Sequence, residues 1–158
     1  VTGPLRTIWR IVAGRHRGHA FDGEGARQHG GRWNHPGTPA VYAASHLSLA
    51  ALELFVHVDP DTLPDDLVAV PACLPEALEI EELPPSELPA NWRAYPAPEA
   101  IQEIGDAWLR SLAAPALLVP SAVLPQENNL LLNPQHPDVR RIEIGRPEPF
   151  GFDPRMWK

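Results

Sequence analysis

Apolar residues occur in short runs broken by proline and glycine, and this rhythm predicts small strands around a few helices. Thr7-Ile8-Trp9-Arg10-Ile11-Val12 reads as a strand rich in β-branched and aromatic residues. Glycines then punctuate Ala13 to Thr38 (Gly14, Gly18, Gly23, Gly25, Gly30, Gly31 and Gly37), which predicts a long loop with one helical turn near Glu24–Arg27. Loops of this length are functional or disordered, and the anchors Phe21 and Trp33 favour an ordered one. Pro39 to Ala44 reads as a strand. Ser45 is placed to cap a helix over Leu47–Val58, apolar almost all round and therefore buried.

Leu67–Cys73 and Leu78–Leu83 are strand-like, and a hairpin across Pro75 is one way to join them. Pro98-Glu99 opens a second helix, since proline and acid suit the first turn. Its Ile101, Ile104, Trp108 and Leu112 fall on one face, an amphipathic pattern that needs no functional explanation. Ala116–Leu124 is a buried strand broken at Pro120-Ser121. Asn128 to Pro134 is a turn, short strand and turn, Arg141–Gly145 alternates as a strand, and the aromatic tail Phe150–Trp157 is expected to dock back. There is no internal repeat or low-complexity linker.

The 158 residues suit one compact domain, 1–158, of mixed α/β class. Hydrophobic content of 44% against 21% charged predicts a soluble globular chain. A net charge of −7 argues against direct nucleic-acid binding yet permits a small anion held by a few arginines. The lone Cys73 excludes an internal disulfide and a multi-cysteine zinc site, which makes a reducing cytoplasm the expected compartment. No run approaches the ~20 apolar residues of a membrane helix. Val1-Thr2-Gly3-Pro4 shows no signal-peptide pattern. The 20 prolines cluster between Pro60 and Pro98 and from Pro115 onward, which forbids long helices there.

Candidate chemistry concentrates in Gly30-Gly31-Arg32-Trp33-Asn34, Tyr42 and Glu53. A guanidinium forks onto phosphate or carboxylate, and flanking glycines let backbone N–H groups approach an anion. Arg32 is otherwise a surface arginine stacked on Trp33. Tyr42 offers a ring face to an aromatic ligand, or is a core tyrosine with a near-surface hydroxyl. Glu53 interrupts Leu49-Ala50-Ala51-Leu52-Glu53-Leu54-Phe55. Burying it unpaired is costly, which calls for a partner such as Arg32 or Arg10. Ser121 lacks the Gly-x-Ser-x-Gly turn of an esterase nucleophile. Gly23-Glu24-Gly25 lacks the frame of a dinucleotide fold, and no Walker loop occurs. His16-x-x-His19 has no obvious further ligands, His46 and His57 lie too far apart to share a metal, and His136 reads as a turn residue. No metal site is expected.

Taken in order, Trp9-Arg10-Ile11-Val12, Phe21-x-Gly23-x-Gly25-Ala26, Gly31-Arg32-Trp33-Asn34-x-x-Gly37, Val41-Tyr42-Ala43, Ala51-Leu52-Glu53, Val119-Pro120-Ser121, Asn129-x-x-x-Asn133-Pro134-x-His136-Pro137 and Phe152-Asp153-x-Arg155 resemble the RES domain. That family supplies the toxin of bacterial toxin–antitoxin pairs with an Xre-type antitoxin. Asp59 to Pro115 carries little of the resemblance. The family's arginine, glutamate and serine fall on Arg32, Glu53 and Ser121. The resemblance implies a fold similar to the diphtheria-toxin-like ADP-ribosyltransferases, with a central sheet split in two. It implies NAD+ as substrate, with no prosthetic group, consumed by hydrolysis, phosphorolysis or ADP-ribose transfer. It implies Glu53, Arg32 and Ser121 as catalytic residues, and Arg10, Arg32, Tyr42, Ser121 and Asn129 as NAD+ contacts. Asn129 and Asn133 read as residues that satisfy backbone groups of the framing loop. A cognate antitoxin is implied as partner.

Two further readings stay open. One is an ADP-ribosyltransferase that modifies a single protein, although no Glu-x-Glu pair includes Glu53, and Glu79-Ile80-Glu81 lies outside the matching motifs. The other is a non-catalytic nucleotide- or partner-binding module.

Overall fold

The structure, a computed structural model, describes residues 7–158, so Val1 to Pro4 lie outside the described residues. In chain order the elements are β1 (Thr7–Ala13), α1 (Glu24–His29), β2 (Val41–Ala44), α2 (Leu47–Phe55), β3 (Leu67–Cys73), β4 (Ile80–Glu82), α3 (Glu99–Ser111), β5 (Ala116–Pro120), β6 (Asn128–Leu132), β7 (Glu143–Ile144) and β8 (Glu148–Pro149). A 3-10 helix over Gly14–His19 follows β1 directly, and another over Pro154–Trp157 ends the chain.

The strands form one sheet in the order β4-β5-β6-β2-β1-β3-β7, with β8 also on β3. All pairs are antiparallel except β4 with β5. β3 and β4 therefore do not form a hairpin across Pro75. A parallel pair needs a crossover, and α3 supplies it between β4 and β5, which carries β4 to the far edge. The sheet is continuous, but its middle is thin. Among the described residues β1 meets β2 through one pair, Trp9 with Ala44, whereas β1 meets β3 from Thr7–Cys73 to Ala13–Leu67. The two-part sheet implied by the resemblance is thus one ladder with a narrow join.

Strand alternation sorts the core onto two faces. Val41, Ala43, Leu118, Leu130 and Leu132 point into one cluster with Ile8, Ala72 and Leu74. Leu117, Val119 and Leu131 point into the other, where Trp33, Ile101 and Leu109 cover them. The second face is the one α3 packs on.

Several boundaries differ from expectation. α2 stops at Phe55 rather than Val58, where β-branched Val56 and Val58 and the approaching Pro60 weaken helical geometry. Its N-cap is His46, with no side-chain cap, and the Ser45 hydroxyl lies 3.1 Å from the His46 ring instead. Nor is α2 buried all round: Leu49 and Ala50 are, but Leu52 is 36% exposed, and Val56 just past the helix end is 53% exposed. Leu112 leaves the packed face of α3, because it sits beyond the helix end at φ 53° and is exposed. The strand expected at Ala116–Leu124 ends at Pro120. The one at Arg141–Gly145 shrinks to two residues after a 3-10 helix. The aromatic tail does dock: Phe55 of α2 packs against Phe152 and Trp157, at centroid distances of 5.7 and 4.8 Å.

Gly105 sets how closely α3 approaches. A Cβ there would sit 1.7 Å from the Trp33 carbonyl oxygen. Neighbouring backbone must move to admit it, so Gly105→Ala is expected to destabilise the fold by about 3 kcal/mol, at the upper end of ordinary overpacking costs. Urea denaturation midpoints of the two proteins check this.

Candidate active site

A cavity of about 670 Å³ lies where β1 and β2 part, and Trp9 to Val12 and Ala40 to Ala44 line it. Strands that separate leave ladder groups without partners, and buried backbone groups need them. Arg10 meets this need: its Nη1 donates to the Tyr42 carbonyl at 2.5 Å. Arg10 thus stands where a strand neighbour would be and brings a positive charge into the cleft. Burial pushes its guanidinium below the usual arginine range, and the Asp22 carboxylate opposes this. Its Nε is buried without a hydrogen-bond partner among the described residues.

Glu53 reaches the cleft from α2. Its partners are not the arginines expected from the sequence. Ser121 Oγ donates to Glu53 Oε1 at 2.6 Å, and Asn129 Nδ2 donates to the same oxygen at 2.7 Å. No hydrogen bond among the described residues falls on Oε2. Both donors are neutral, so the carboxylate is held by hydrogen bonds and not by an ion pair. Ser121 is itself fixed. It is fully buried, just beyond the end of β5, and its Oγ accepts the N–H groups of Val123 and Leu124 at 3.1 and 3.0 Å. With its proton committed to Glu53 and no contact with the cleft, it orients the carboxylate. Asn129 is aligned by β6, where it pairs with Ala44 of β2 and Val119 of β5.

The opposite wall is the turn Gly30–His35. The glycine pair shapes it differently from an anion cradle. Gly30 ends α1 at φ 74°, donating to the Ala26 carbonyl, and the Gly31 N–H donates to the Asn34 carbonyl. Both N–H groups are used internally. A Cβ on Gly31 would fall 2.7 Å from the Tyr42 hydroxyl, so this glycine makes room for the phenol. That hydroxyl accepts from the Trp33 N–H at 2.9 Å and donates to Asn34 Oδ1 at 2.5 Å. Burial pushes the Tyr42 phenol well above its ordinary range, against the hydrogen bond from Trp33, so it stays neutral. With both hydroxyl functions taken, Tyr42 offers the cleft its ring.

Asn34 is fully buried, with Nδ2 within 3.1 Å of the Ala26, His35 and Thr38 carbonyls. Trp33 lies in the core, so Arg32 does not stack on an exposed indole. Arg32 Nη1 instead donates to the carbonyls of Trp92 and Ala94, at 2.9 and 3.0 Å. Burial lowers the Arg32 pKa, while the nearby Glu53 charge raises it. Arginine remains a cation under both influences.

The structure therefore brings Arg10, Arg32, Tyr42, Glu53 and Asn129 to one cleft, with Ser121 behind Glu53. Asn133 lies elsewhere: it is buried and bonds the Leu109 carbonyl. Glu81 is on the edge strand and accepts from Trp108. His136 caps a 3-10 helix by accepting the Asp138 N–H. Among the described residues no group of three or more His, Cys, Asp or Glu is arranged for a metal.

Sequence reasoning passed over α3 as plain packing. Its Gln102 donates to the Gly31 and Asn34 carbonyls, Gly105 admits Trp33, and buried Asp106 accepts from the His35 N–H at 3.0 Å and pairs with the His35 ring at 2.5 Å. The signal was available: Gln102, Gly105 and Asp106 recur at helical spacing and mark a polar, close-approach stripe within the helix.

With this geometry in place, the family assignment follows. The RES domain model matches residues 7–153, and the chain belongs to that family. It is 43% identical over 152 residues to Toxin Res of Yersinia enterocolitica, an alignment that covers 94% of this chain and 98% of that protein. It is 39% identical over 154 residues to the Prs ADP-ribosylating toxin of Sphingobium sp., covering 95% and 96%. A chain of the crystal structure of the M. tuberculosis MbcT–MbcA toxin–antitoxin complex superposes with TM-score 0.75, over 91% of this chain and 83% of that one. At 20% identity that likeness is one of fold.

The His35–Asp106 pair ties the arginine turn to α3 and has a defined pH signature. The hydrogen bond to Asp106 raises the His35 pKa above its ordinary value of about 6.5. A raised histidine stabilises fully below its unfolded pKa, and the contribution is lost as pH climbs through the folded value. The stability margin of the wild type over His35→Gln is thus expected to be larger at about pH 5.5 than at about pH 9. Urea midpoints at the two pH values measure it.

Proposed function

We propose that the chain is the toxin of a toxin–antitoxin pair and that it cleaves the nicotinamide–ribose bond of NAD+. The observation that carries this reading is the Glu53 carboxylate, held in the cleft by Ser121 and Asn129 through one oxygen. Breaking the C–N glycosidic bond builds positive charge on the ribose, as in glycoside hydrolysis. A fixed carboxylate stabilises that charge with little reorganisation, and it also suits the ribose 2′-hydroxyl as a hydrogen-bond acceptor. Nicotinamide departs neutral with the bonding electrons, so no strong general acid is required. Neutral, hydrogen-bonded Tyr42 fits this as a ring surface for the leaving group. Arg32 and Arg10 supply cations for the phosphates, and Asn129 completes the ligand-facing polar set. The fold this reading implies is a diphtheria-toxin-like arrangement, which the narrow join between β1 and β2 supports.

The acceptor is water, phosphate or a protein. Transfer to a protein draws support from the name of the Sphingobium relative, an ADP-ribosylating toxin. An antitoxin partner draws support from the toxin–antitoxin complex that shares the fold.

Glu53→Gln keeps the shape and both donors' partner oxygen but removes the charge. It is expected to lower nicotinamide release by about 10²–10³-fold, the magnitude seen when one electrostatic stabiliser of a transition state is removed. Incubation of purified protein with NAD+, with and without phosphate and lysate, measures free nicotinamide and protein-bound ADP-ribose together. Undiminished turnover by the glutamine variant would remove Glu53 from the chemistry.

A further inference from the structure

We propose that the end of the cleft away from Glu53, marked by His16 and His19, is a subsite for the adenosine half of a dinucleotide, with the charge of Arg10 between the two ends facing the phosphates. This rests on the NAD+ reading above.

The strand register orients the cleft. Ala44 of β2 pairs with Asn129, whose side chain holds Glu53, so the carboxylate belongs to the Ala44 end. The other end of β2 belongs to the start of α1, because a Cβ on Gly23 would meet the Ala40 nitrogen at 3.1 Å and the Pro39 Cβ at 3.3 Å. β1 runs antiparallel to β2 from their join at Trp9 and Ala44, so it leads away from Glu53 and passes straight into the 3-10 helix Gly14–His19. From Ala44 to Ala40 the backbone covers about 13 Å, at ~3.3 Å per residue. A mononucleotide seated at Glu53 leaves the far end empty, and a dinucleotide reaches it.

The chemistry of that end fits a purine. His16 and His19 line the cleft, are exposed, and meet edge to face with ring centroids 5.1 Å apart. In this arrangement one ring keeps both faces uncovered by the other, ready for offset stacking. The local carboxylates are already engaged. Asp22 lies 3.5 Å from the His19 ring and accepts the Glu24 N–H, and Glu24 pairs with Arg27. Arg10 lies on β1 between the two ends, tied to Tyr42 in the middle of β2.

The experiment compares NAD+ with nicotinamide mononucleotide, which contains the same scissile bond and lacks adenosine. The double variant His16→Ala with His19→Ala alters two exposed side chains, and a melting curve verifies its fold. The expected result is a KM for NAD+ raised about tenfold, equivalent to about 1.4 kcal/mol of lost binding, with turnover of the mononucleotide unchanged. Equal losses for both substrates, or no loss for either, would overturn the subsite. If the wild type cleaves neither substrate, the proposed activity fails, and calorimetric titration with ADP-ribose then decides the subsite by itself. Binding lost in the double variant supports it. Binding retained in the variant, or absent in the wild type, overturns it.

Discussion

The cleft exists because β1 and β2 separate beyond Trp9 and Ala44. Two strands that stayed paired would fill this space with backbone hydrogen bonds and leave no room for a ligand. Separation leaves backbone groups to satisfy, and the Arg10 side chain replaces one ladder donor. The residue that makes the opening tolerable therefore also supplies its charge. The rest of the site is arranged around this gap. α2 presents Glu53 from one side, and the Gly30–His35 turn presents Arg32 from another.

Each wall is fixed by polar groups with little freedom. Asn129 lies on β6 and Ser121 directly follows β5, and the two strands pair along their whole length, so sheet geometry constrains the distance between the two donors. The facing turn is set by Asn34, Tyr42 and α3. Here one buried carboxamide gathers three carbonyls and a phenol, while Gln102, Gly105 and Asp106 hold the turn from outside. Buried networks of this kind specify one geometry when every member is satisfied. Glu53 is held by a hydroxyl and a carboxamide rather than by an arginine, so its position is fixed without a salt bridge.

Much of this was legible in the sequence, for identifiable reasons. Strands β1, β2, β3 and β6 announced themselves by composition and punctuation, and the motif residues Arg32, Tyr42 and Glu53 do share a cleft. What escaped was the role of contacts between distant segments. A carboxylate in an apolar helix signals a partner, yet not whether that partner is an arginine or a serine and an asparagine more than sixty positions away. The glycine pair signalled close approach, but the approaching group is the Tyr42 phenol rather than an anion. The pairing of β4 with β5 depends on where α3 lands, and local pattern does not encode that. The amphipathic reading of α3 stopped at its apolar residues and overlooked the polar ones between them.

The C-terminal aromatics have a consequence for dynamics. Phe152 and Trp157 pack on Phe55, two residues from Glu53 and on the same short helix. α2 has nine residues, too few for a helix to be stable in isolation. Its persistence depends on what covers it, and part of that cover is the last stretch of chain. Detachment of the tail would expose Phe55 and leave α2 easier to fray, the usual course of local opening. The tail thus covers the helix that carries Glu53, although none of its residues lines the cleft.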